Sequence, residues 1–445
     1  QPDRDLSRSP LFQVMFVLHT EMKTEFSLPG LKIELETIDR QLSEFDLTLN
    51  LTLKNRQLQG EFEYNTDLFS DKTMSRFKVH FQQLVRSILQ QPQSRLSKLE
   101  LLSKQEKQTL LVDWNQSKAD FNQEQLVPHR LTLQASRTPN KSAVVFNEDS
   151  LSYAELESQS NQLAHYLMGQ GVKPDVCVAI ALERSIQCIV SMMAIFKAGG
   201  AYVPLDINAP LDRLSFMLEE TQAVLIITSK QWMDSINTED NDVFAQTSKL
   251  YLDADVADIE KQSTDVPKNQ LFAHHLAYVI YTSGSSGKPK GVMITHGNLL
   301  DYCYGAINQY ALTHQDRVLQ FATISFDASI EEIFPTLMVG ACLVLRNENM
   351  LADANTFFDL ARSLQLTVLS LPTAYWHSLC QQLNDEVNQG QLRLVIIGGE
   401  KALPEPLRHW QNKFSSDIKL LNTYGPTEST VVTSVFDLTE FQADE

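Results

Sequence analysis

Apolar residues change their period near Leu126, and few folds accommodate the pattern beyond it. Amphipathic helical stretches there alternate with short apolar runs. Residues 153–168 place Leu156, Leu163 and Leu167 on one face, and glycines at 169 and 171 end the stretch. Residues 185–198 form a second helical stretch, closed by Gly199 and Gly200. Residues 176–182, 224–228, 277–281, 342–345, 367–370 and 392–397 read as short, mostly apolar strands. Such alternation implies an α/β fold of layered, mostly parallel sheets.

The first hundred residues are patterned differently. Strand-like segments fall at 12–18, 31–35, 45–53 and 58–64. A helix over 72–90 comes next, with Phe77, Phe81, Leu84 and Ile88 as its apolar face. This is an α+β arrangement. Residues 91–125 are polar apart from a short helical piece at 104–111, so 99–125 reads as a linker. A chain of 445 residues suits two to three units at roughly 150 residues each.

The net charge of −18 disfavours a nucleic acid or an anionic membrane as partner. No apolar run reaches the ~18 residues of a membrane helix. The five cysteines are scattered, without a C-x-x-C pair, which suggests neither a disulfide framework nor a zinc site. A reducing, cytoplasmic compartment is expected. His274 and His275 are adjacent, and neighbours on a strand point apart, so they do not read as a metal pair. The chain begins at Gln1 rather than Met and is expected to be a piece of a longer protein.

Three stretches carry chemistry. The first is Tyr281-Thr-Ser-Gly-Ser-Ser-Gly-Lys-Pro-Lys-Gly291, set between two apolar runs. Its glycines, hydroxyls and lysines can turn backbone N–H groups and cationic side chains onto phosphates. By composition it also reads as a flexible linker, but linkers join domains rather than neighbouring strands. It is not a Walker loop, because Pro289 stands where Ser or Thr would bind magnesium. The second stretch is Phe326-Asp-Ala-Ser329, which opens a helical stripe of Ile330, Ile333, Phe334 and Leu337. Asp327 and Glu331 share one side of that helix. Taken alone, the pair also reads as an N-cap and a solvated charge. The third stretch is Asn422-Thr-Tyr-Gly-Pro-Thr-Glu428. It reads either as a Gly-Pro turn or as a nucleotide contact, with Tyr424 on a flat ring, Thr427 on a phosphate and Glu428 on Mg²⁺.

Together these stretches resemble adenylate-forming enzymes. Leu151-Ser-Tyr-Ala-Glu-Leu156 and Phe196-Lys-Ala-Gly-Gly-Ala-Tyr-Val-Pro-Leu-Asp206 join them in the order found in adenylation domains of nonribosomal peptide synthetases. The resemblance covers 126–445. Arg4-Asp-Leu-Ser-Arg-Ser-Pro-Leu11 and Phe45-Asp-Leu-Thr-Leu49 resemble the end of a condensation domain. Residues 1–98 are thus expected to be a condensation remnant, without that family's catalytic His-His motif.

The resemblance implies a large adenylate-forming core that activates an amino acid with ATP and Mg²⁺. The acyl group would pass to phosphopantetheine on a carrier domain, beside an upstream condensation half and other modules. Thr282, Ser283, Ser285, Ser286, Gly287 and Lys288 would hold the β- and γ-phosphates. Thr427 would meet the α-phosphate and Glu428 the magnesium. Asn422, Tyr424 and Gly425, with Gly398, Gly399 and Glu400, would hold the nucleoside. Asp327 would pair with the substrate α-ammonium.

The family's selectivity positions fall on Asp327, Ala328, Glu331, Ser370, Ile396, Gly398, Thr423, Val431 and Val432. An unpaired Glu331 in an apolar pocket calls for a cationic partner, which implies a basic amino acid, lysine first. Later family signatures, a ribose-binding Asp and a C-terminal lysine, lie beyond Glu445. The chain alone is therefore expected to be inactive or nearly so. An acyl- or aryl-CoA ligase and a non-catalytic docking platform are the alternatives.

Overall fold

The computed structural model describes residues 11–19, 42–54, 57–116, 125–236, 242–283, 288–384, 387–414 and 417–441. The chain divides into two compact units, residues 1–118 and 119–445.

In the N-terminal unit, β1 (Val14–His19) runs parallel to β2 (Leu47–Lys54), which pairs antiparallel with β3 (Gln57–Tyr64). The expected strand at 31–35 lies outside the described residues. Helix Asp71–Gln90 comes after β3, started by Ser70, whose side chain accepts from the Thr73 N–H. The expected apolar face is only partly buried. Phe77 and Ile88 stay exposed while Met74 is buried, and Phe62 meets Phe77 and Phe81 edge-on. Helix Lys104–Leu111 forms as expected, with a capping box between Ser103 and Glu106.

The larger unit holds two sheets. The strands are β4 (Ser142–Phe146), β5 (Asp149–Ser152), β6 (Cys177–Ala181), β7 (Ala201–Pro204), β8 (Leu225–Thr228), β9 (Ser248–Tyr251), β10 (Leu276–Thr282) and β11 (Lys290–Thr295). They continue with β12 (Arg317–Gln320), β13 (Cys342–Leu345), β14 (Val368–Pro372), β15 (Leu394–Gly398), β16 (Lys419–Tyr424) and β17 (Ser434–Asp437). One sheet has the order β11-β10-β7-β6-β8-β9. The other has the order β17-β16-β15-β14-β12-β13-β4-β5. Pairing is parallel except for the edge pairs β10–β11, β4–β5 and β16–β17. Most of these strands are apolar on both faces because helices cover both faces.

One hydrophobic core draws on both sheets, with Val144 and Leu343 from the larger and Ile180 and Tyr278 from the smaller. The helices that share it are amphipathic in the expected places. Tyr153–Gly169 buries Leu156, Leu163 and Leu167 and starts with a capping box between Ser152 and Glu155. Ile186–Ala198 ends at Gly199, whose φ of 91° is the left-handed conformation that a glycine supplies. A second core, around Trp376 and Trp410, closes the outer face of the larger sheet. No helix among the described residues is long and apolar enough to cross a membrane.

Candidate active site

Parallel strands put their carboxyl ends along one edge, where open α/β sheets bind ligands. In β14, β15 and β16 that edge carries Ser370, Ile396, Gly398 and Thr423, with Ser370 paired to Ile396 and Gly398 to Thr423. Ile396 is buried, and Ser370 and Thr423 are 8% exposed. The Thr423 hydroxyl donates to the Ile397 carbonyl at 3.0 Å, and the Thr373 hydroxyl donates to the Gly398 carbonyl at 3.0 Å. A Cβ on Gly398 would stand 2.6 Å from the Thr423 hydroxyl oxygen, so the close strand approach requires glycine there.

Helix Ala328–Met338 enters this edge after β12. The connecting loop is clamped from two directions. Glu332 accepts from the Phe321 N–H at 3.0 Å, the Ala322 N–H at 3.1 Å and the Gln320 side-chain amide at 2.9 Å. Arg184 donates to the carbonyls of Gln320, Phe321 and Ala322. Burial pushes the Glu332 carboxyl up to about 8, against the pull of those donors and of Arg184. Neither Glu332 nor Arg184 belongs to a motif that sequence reasoning singled out.

Asp327 sits at the N-cap position but its side chain makes no capping bond. The plain N-cap reading therefore fails. Its Oδ2 is buried without a hydrogen-bond partner, and the Thr427 side chain lies beside the carboxyl. Burial raises its pKa, Thr427 opposes that, and nearby Glu428 adds to the rise. A buried carboxylate oxygen left unpaired is costly, and a cationic ligand would remove the cost.

Glu331, one turn on, is not a solvated charge: it is 6% exposed. It is not bare either, which corrects the expectation of an unpaired carboxylate. The Tyr310 hydroxyl donates to Oε1 and the Ser370 hydroxyl donates to Oε2 at 3.0 Å. The Tyr302 hydroxyl is buried without an aligned partner of its own, yet it also stabilises the Glu331 charge. Burial raises the Glu331 pKa, the three hydroxyls oppose it, and Asp327 adds to it. No cation pairs with Glu331 among the described ion pairs. Tyr302 and Tyr310 come from helix His296–Gln309 and its C-cap, a stretch without a motif. Only their hydroxyls among apolar helix neighbours could have flagged them.

Strands β10 and β11 are antiparallel neighbours, with Thr282 opposite Lys290. The glycine-rich stretch thus joins two paired strands, as its flanking apolar runs implied. Thr282 is half-buried and Ser283 and Lys288 are exposed. Ser285, Ser286 and Gly287 lie outside the described residues. The turn Thr427–Ser429 packs against β11, so Thr427 and Glu428 lie beside the strand that follows the glycine-rich stretch.

Glu428 is exposed and Thr427 half-buried. Tyr424 is 71% exposed, free to stack on a ring, and Asn422, opposite Ile397, is half-buried. Gly399 and Glu400 are exposed just past β15, and Ala328 is half-buried. Val431 is buried and Val432 half-buried. Thr430 and Val431 have φ of 65° and 68°, rare for β-branched residues and a sign of strain held by the surroundings.

A Cβ on Gly425 would stand 2.3 Å from the Val431 carbonyl oxygen and 2.7 Å from the Val432 Cα. Both are backbone. Gly425→Ala is expected to destabilise the unit by about 1–3 kcal/mol and to weaken nucleotide binding. Denaturant titration together with calorimetry on ATP checks this, and an unchanged pair of values would contradict it.

Two cavities lie apart from these motif residues. One of about 680 Å³ is in the N-terminal unit, walled by Leu49, Phe62 and Met74. The other, about 530 Å³, runs beside Arg184 and the loop that leads to Asp327.

The layered sheets, the glycine-rich hairpin and the acidic helix start define a class, and sequence comparison agrees with it. Residues 131–445 match the family model "AMP-binding enzyme", and residues 1–111 match "Condensation domain". The chain belongs to the AMP-binding enzyme family. It is 37% identical over 444 residues to chondramide synthase cmdD of Chondromyces crocatus, covering 99% of this chain and 11% of that protein. It is 34% identical over 433 residues to gramicidin S synthase 2 of Brevibacillus brevis, covering 97% of this chain and 9% of that protein. The chain therefore spans only a small part of these relatives. Its fold is similar to that of the nonribosomal peptide synthetase FmoA3 in an AMPPNP-bound form. The TM-score is 0.77 at 22% identity, covering 97% of this chain and 46% of that one.

Proposed function

We propose that residues 126–445 activate an α-amino acid with ATP as its aminoacyl adenylate, within a nonribosomal peptide synthetase. The observation that carries this reading is the meeting of Asp327, Thr427 and Glu428 beside the strand that leaves the glycine-rich loop. That meeting puts a receptor for an ammonium next to groups suited to phosphates.

In this reading a carboxylate oxygen of the amino acid attacks the α-phosphorus of ATP. The bond from that phosphorus to the bridging oxygen of the β-phosphate breaks, and pyrophosphate leaves with the electron pair. Asp327 holds the α-ammonium and so aims the carboxylate. Thr282, Ser283, Ser285, Ser286, Gly287 and Lys288 hold the leaving phosphates. Thr427 donates to the α-phosphate, where charge builds. Tyr424 stacks on the adenine beside the backbone of Gly398, Gly399 and Glu400, with Asn422 and Gly425 completing the nucleoside wall.

Glu428 offers the hard oxygen that Mg²⁺ prefers. Its side chain is exposed, open to an ion held by one carboxylate plus substrate phosphates. When bound, the ion supplies neutralisation of phosphate charge. Ala328, Ser370, Ile396, Thr423, Val431 and Val432 wall the side-chain pocket, and Glu331 lies at its polar end. A buried carboxylate with neutral donors and no cation is best completed by a basic side chain, lysine first. The acyl group would then pass to the thiol that phosphopantetheine supplies on a carrier domain, forming a thioester with AMP as the leaving group.

Amino-acid-dependent ATP–pyrophosphate exchange tests this on the full-length natural protein that carries this sequence. Exchange with lysine above norleucine is the expected result. Exchange with neutral amino acids alone would remove the basic substrate, and none with any amino acid would remove the activity.

A further inference from the structure

Glu331 takes its hydrogen bonds from two elements. The Ser370 hydroxyl comes from β14 and belongs to the nine selectivity positions. The Tyr310 hydroxyl comes from outside them, at the C-cap of helix His296–Gln309. A hydrogen bond to a carboxylate favours its ionised form, whereas burial favours the protonated form. A cation is drawn to the ionised form. Whatever holds the Tyr310 hydroxyl on Glu331 therefore bears on substrate choice.

That hold lies behind Tyr310. Arg393 donates to the Tyr310 carbonyl at 3.1 Å and to the Ala311 carbonyl at 3.0 Å. The same guanidinium grips buried Asp316, Nε on Oδ1 at 2.8 Å and Nη2 on Oδ2 at 2.7 Å. The Thr367 hydroxyl and the Thr313 N–H donate to that carboxylate as well, at 2.7 Å and 2.8 Å. Ala311 has a φ of 46°, a left-handed conformation that strains any residue with a Cβ and persists only where the surroundings fix it. Tyr310 itself packs in one apolar cluster with Val368, Ile396 and Leu421. Its backbone is thus clamped by an ion pair and its ring by packing, and its hydroxyl is left for Glu331.

We propose that Tyr310 is a specificity-determining residue outside the nine pocket positions: its hydroxyl keeps Glu331 ionised and aimed, and the Arg393–Asp316 pair holds that hydroxyl in place. All three residues act through Glu331 and so are positioning residues. The inference rests on the reading of Glu331 as the polar end of the side-chain pocket. Burial raises the Glu331 pKa and the bonds from Tyr310 and Ser370 oppose the rise, so loss of the Tyr310 bond raises it further. The titratable groups facing Glu331 are Tyr302 and Tyr310 from helix His296–Gln309 and its C-cap, and Asp327 from its own helix. Burial raises both tyrosines well above their usual range, so they stay neutral. Asp327 contributes alike whether or not the Tyr310 hydroxyl is present. Ser370, from β14, does not titrate.

The test is calorimetric binding of two stable adenylate mimics, lysyl and norleucyl sulfamoyladenosine, to this chain across pH. The range runs up to about pH 9, below which the lysyl ε-ammonium stays protonated. In the native chain the lysyl-to-norleucyl affinity ratio should fall as pH drops through the Glu331 pKa. Tyr310→Phe deletes one oxygen and keeps the ring. It should move the midpoint of that fall up by about one pH unit or more, the worth of one hydrogen bond to a charged group. Above the new midpoint the ratio should recover. Arg393→Lys keeps a charge opposite Asp316, but a point charge cannot span the carboxylate and two carbonyls as the guanidinium fork does. It should move the midpoint in the same direction by less, and it carries the test if the tyrosine variant fails to fold.

A native preference for lysyl with an unmoved midpoint in Tyr310→Phe would overturn this inference and leave the basic-substrate reading standing. Equal loss of both mimics at every pH would do the same, since it marks a structural role. A midpoint moved by Tyr310→Phe but not by Arg393→Lys would overturn the part assigned to the ion pair. Norleucyl binding as tight as lysyl in the native chain at every pH, or no binding of either mimic, would overturn that reading and this inference with it.

Discussion

Glu331→Gln is expected to erase the preference for a lysyl over a norleucyl adenylate mimic. The carboxylate is buried, and its only described partners are hydroxyls. A lysyl ammonium in the same pocket would be stranded once the charge is gone, and breaking one side of a buried pair costs about 3–5 kcal/mol. The lysyl mimic should therefore lose roughly 150- to 4,500-fold in affinity. The norleucyl mimic should change little, because the amide oxygen can accept from one of the two hydroxyls and the amide NH2 can donate to the other. A preference that survives the substitution would remove Glu331 from the pocket.

The same preference carries a pH signature. Burial raises the Glu331 pKa, so the group takes up a proton at a higher pH than a solvated glutamate. Only the ionised form attracts the ammonium. The lysyl-to-norleucyl ratio should be full above that raised pKa and fall as pH drops through it. The groups facing Glu331 are Tyr302 and Tyr310, whose pKa values are also raised, Ser370, which does not titrate, and Asp327. Asp327 also protonates at raised pH, but it meets both mimics alike and cancels in the ratio. The Gln variant should give a flat ratio over the same range.

Asp327→Asn is expected to act differently, on every aminoacyl mimic equally. Its Oδ2 is the buried carboxylate oxygen without a partner. An α-ammonium placed there gains a charge-assisted bond that an amide cannot replace. Loss of roughly 150- to 4,500-fold should result whatever the side chain, by the same stranding of a buried charge. A mimic lacking the α-amine should bind the variant at least as well as the native chain. Selective loss of the lysyl mimic alone would instead place Asp327 at the side-chain end, and no loss would remove it from the site.

Much of this site is legible in the sequence because its parts are local. The glycine-rich hairpin lies between two apolar runs, and β10 and β11 form where those runs are. Asp327 and Glu331 share a helix face because four residues make one turn. The alternation after Leu126 gives the layered sheets, since each short apolar run needs cover on both faces.

The parts hidden from the sequence are long-range. Tyr310 reaches Glu331 from the end of another helix, and Ser370 reaches it from a strand 39 residues away. Glu332 reads as one more acid beside Glu331, yet it holds the 320–322 loop by its backbone N–H groups. The helix face at Phe77 and Ile88 misled for a related reason. Periodicity marks an apolar stripe, but burial depends on what packs against it, and both side chains are exposed.

The most direct test of the account is a crystal structure of this chain with lysyl sulfamoyladenosine bound. The α-ammonium should sit on Asp327, the ε-ammonium on Glu331, the sulfamoyl group at Thr427 and the adenine on Tyr424. A mimic bound elsewhere, or bound with its lysyl side chain directed away from Glu331, would contradict it.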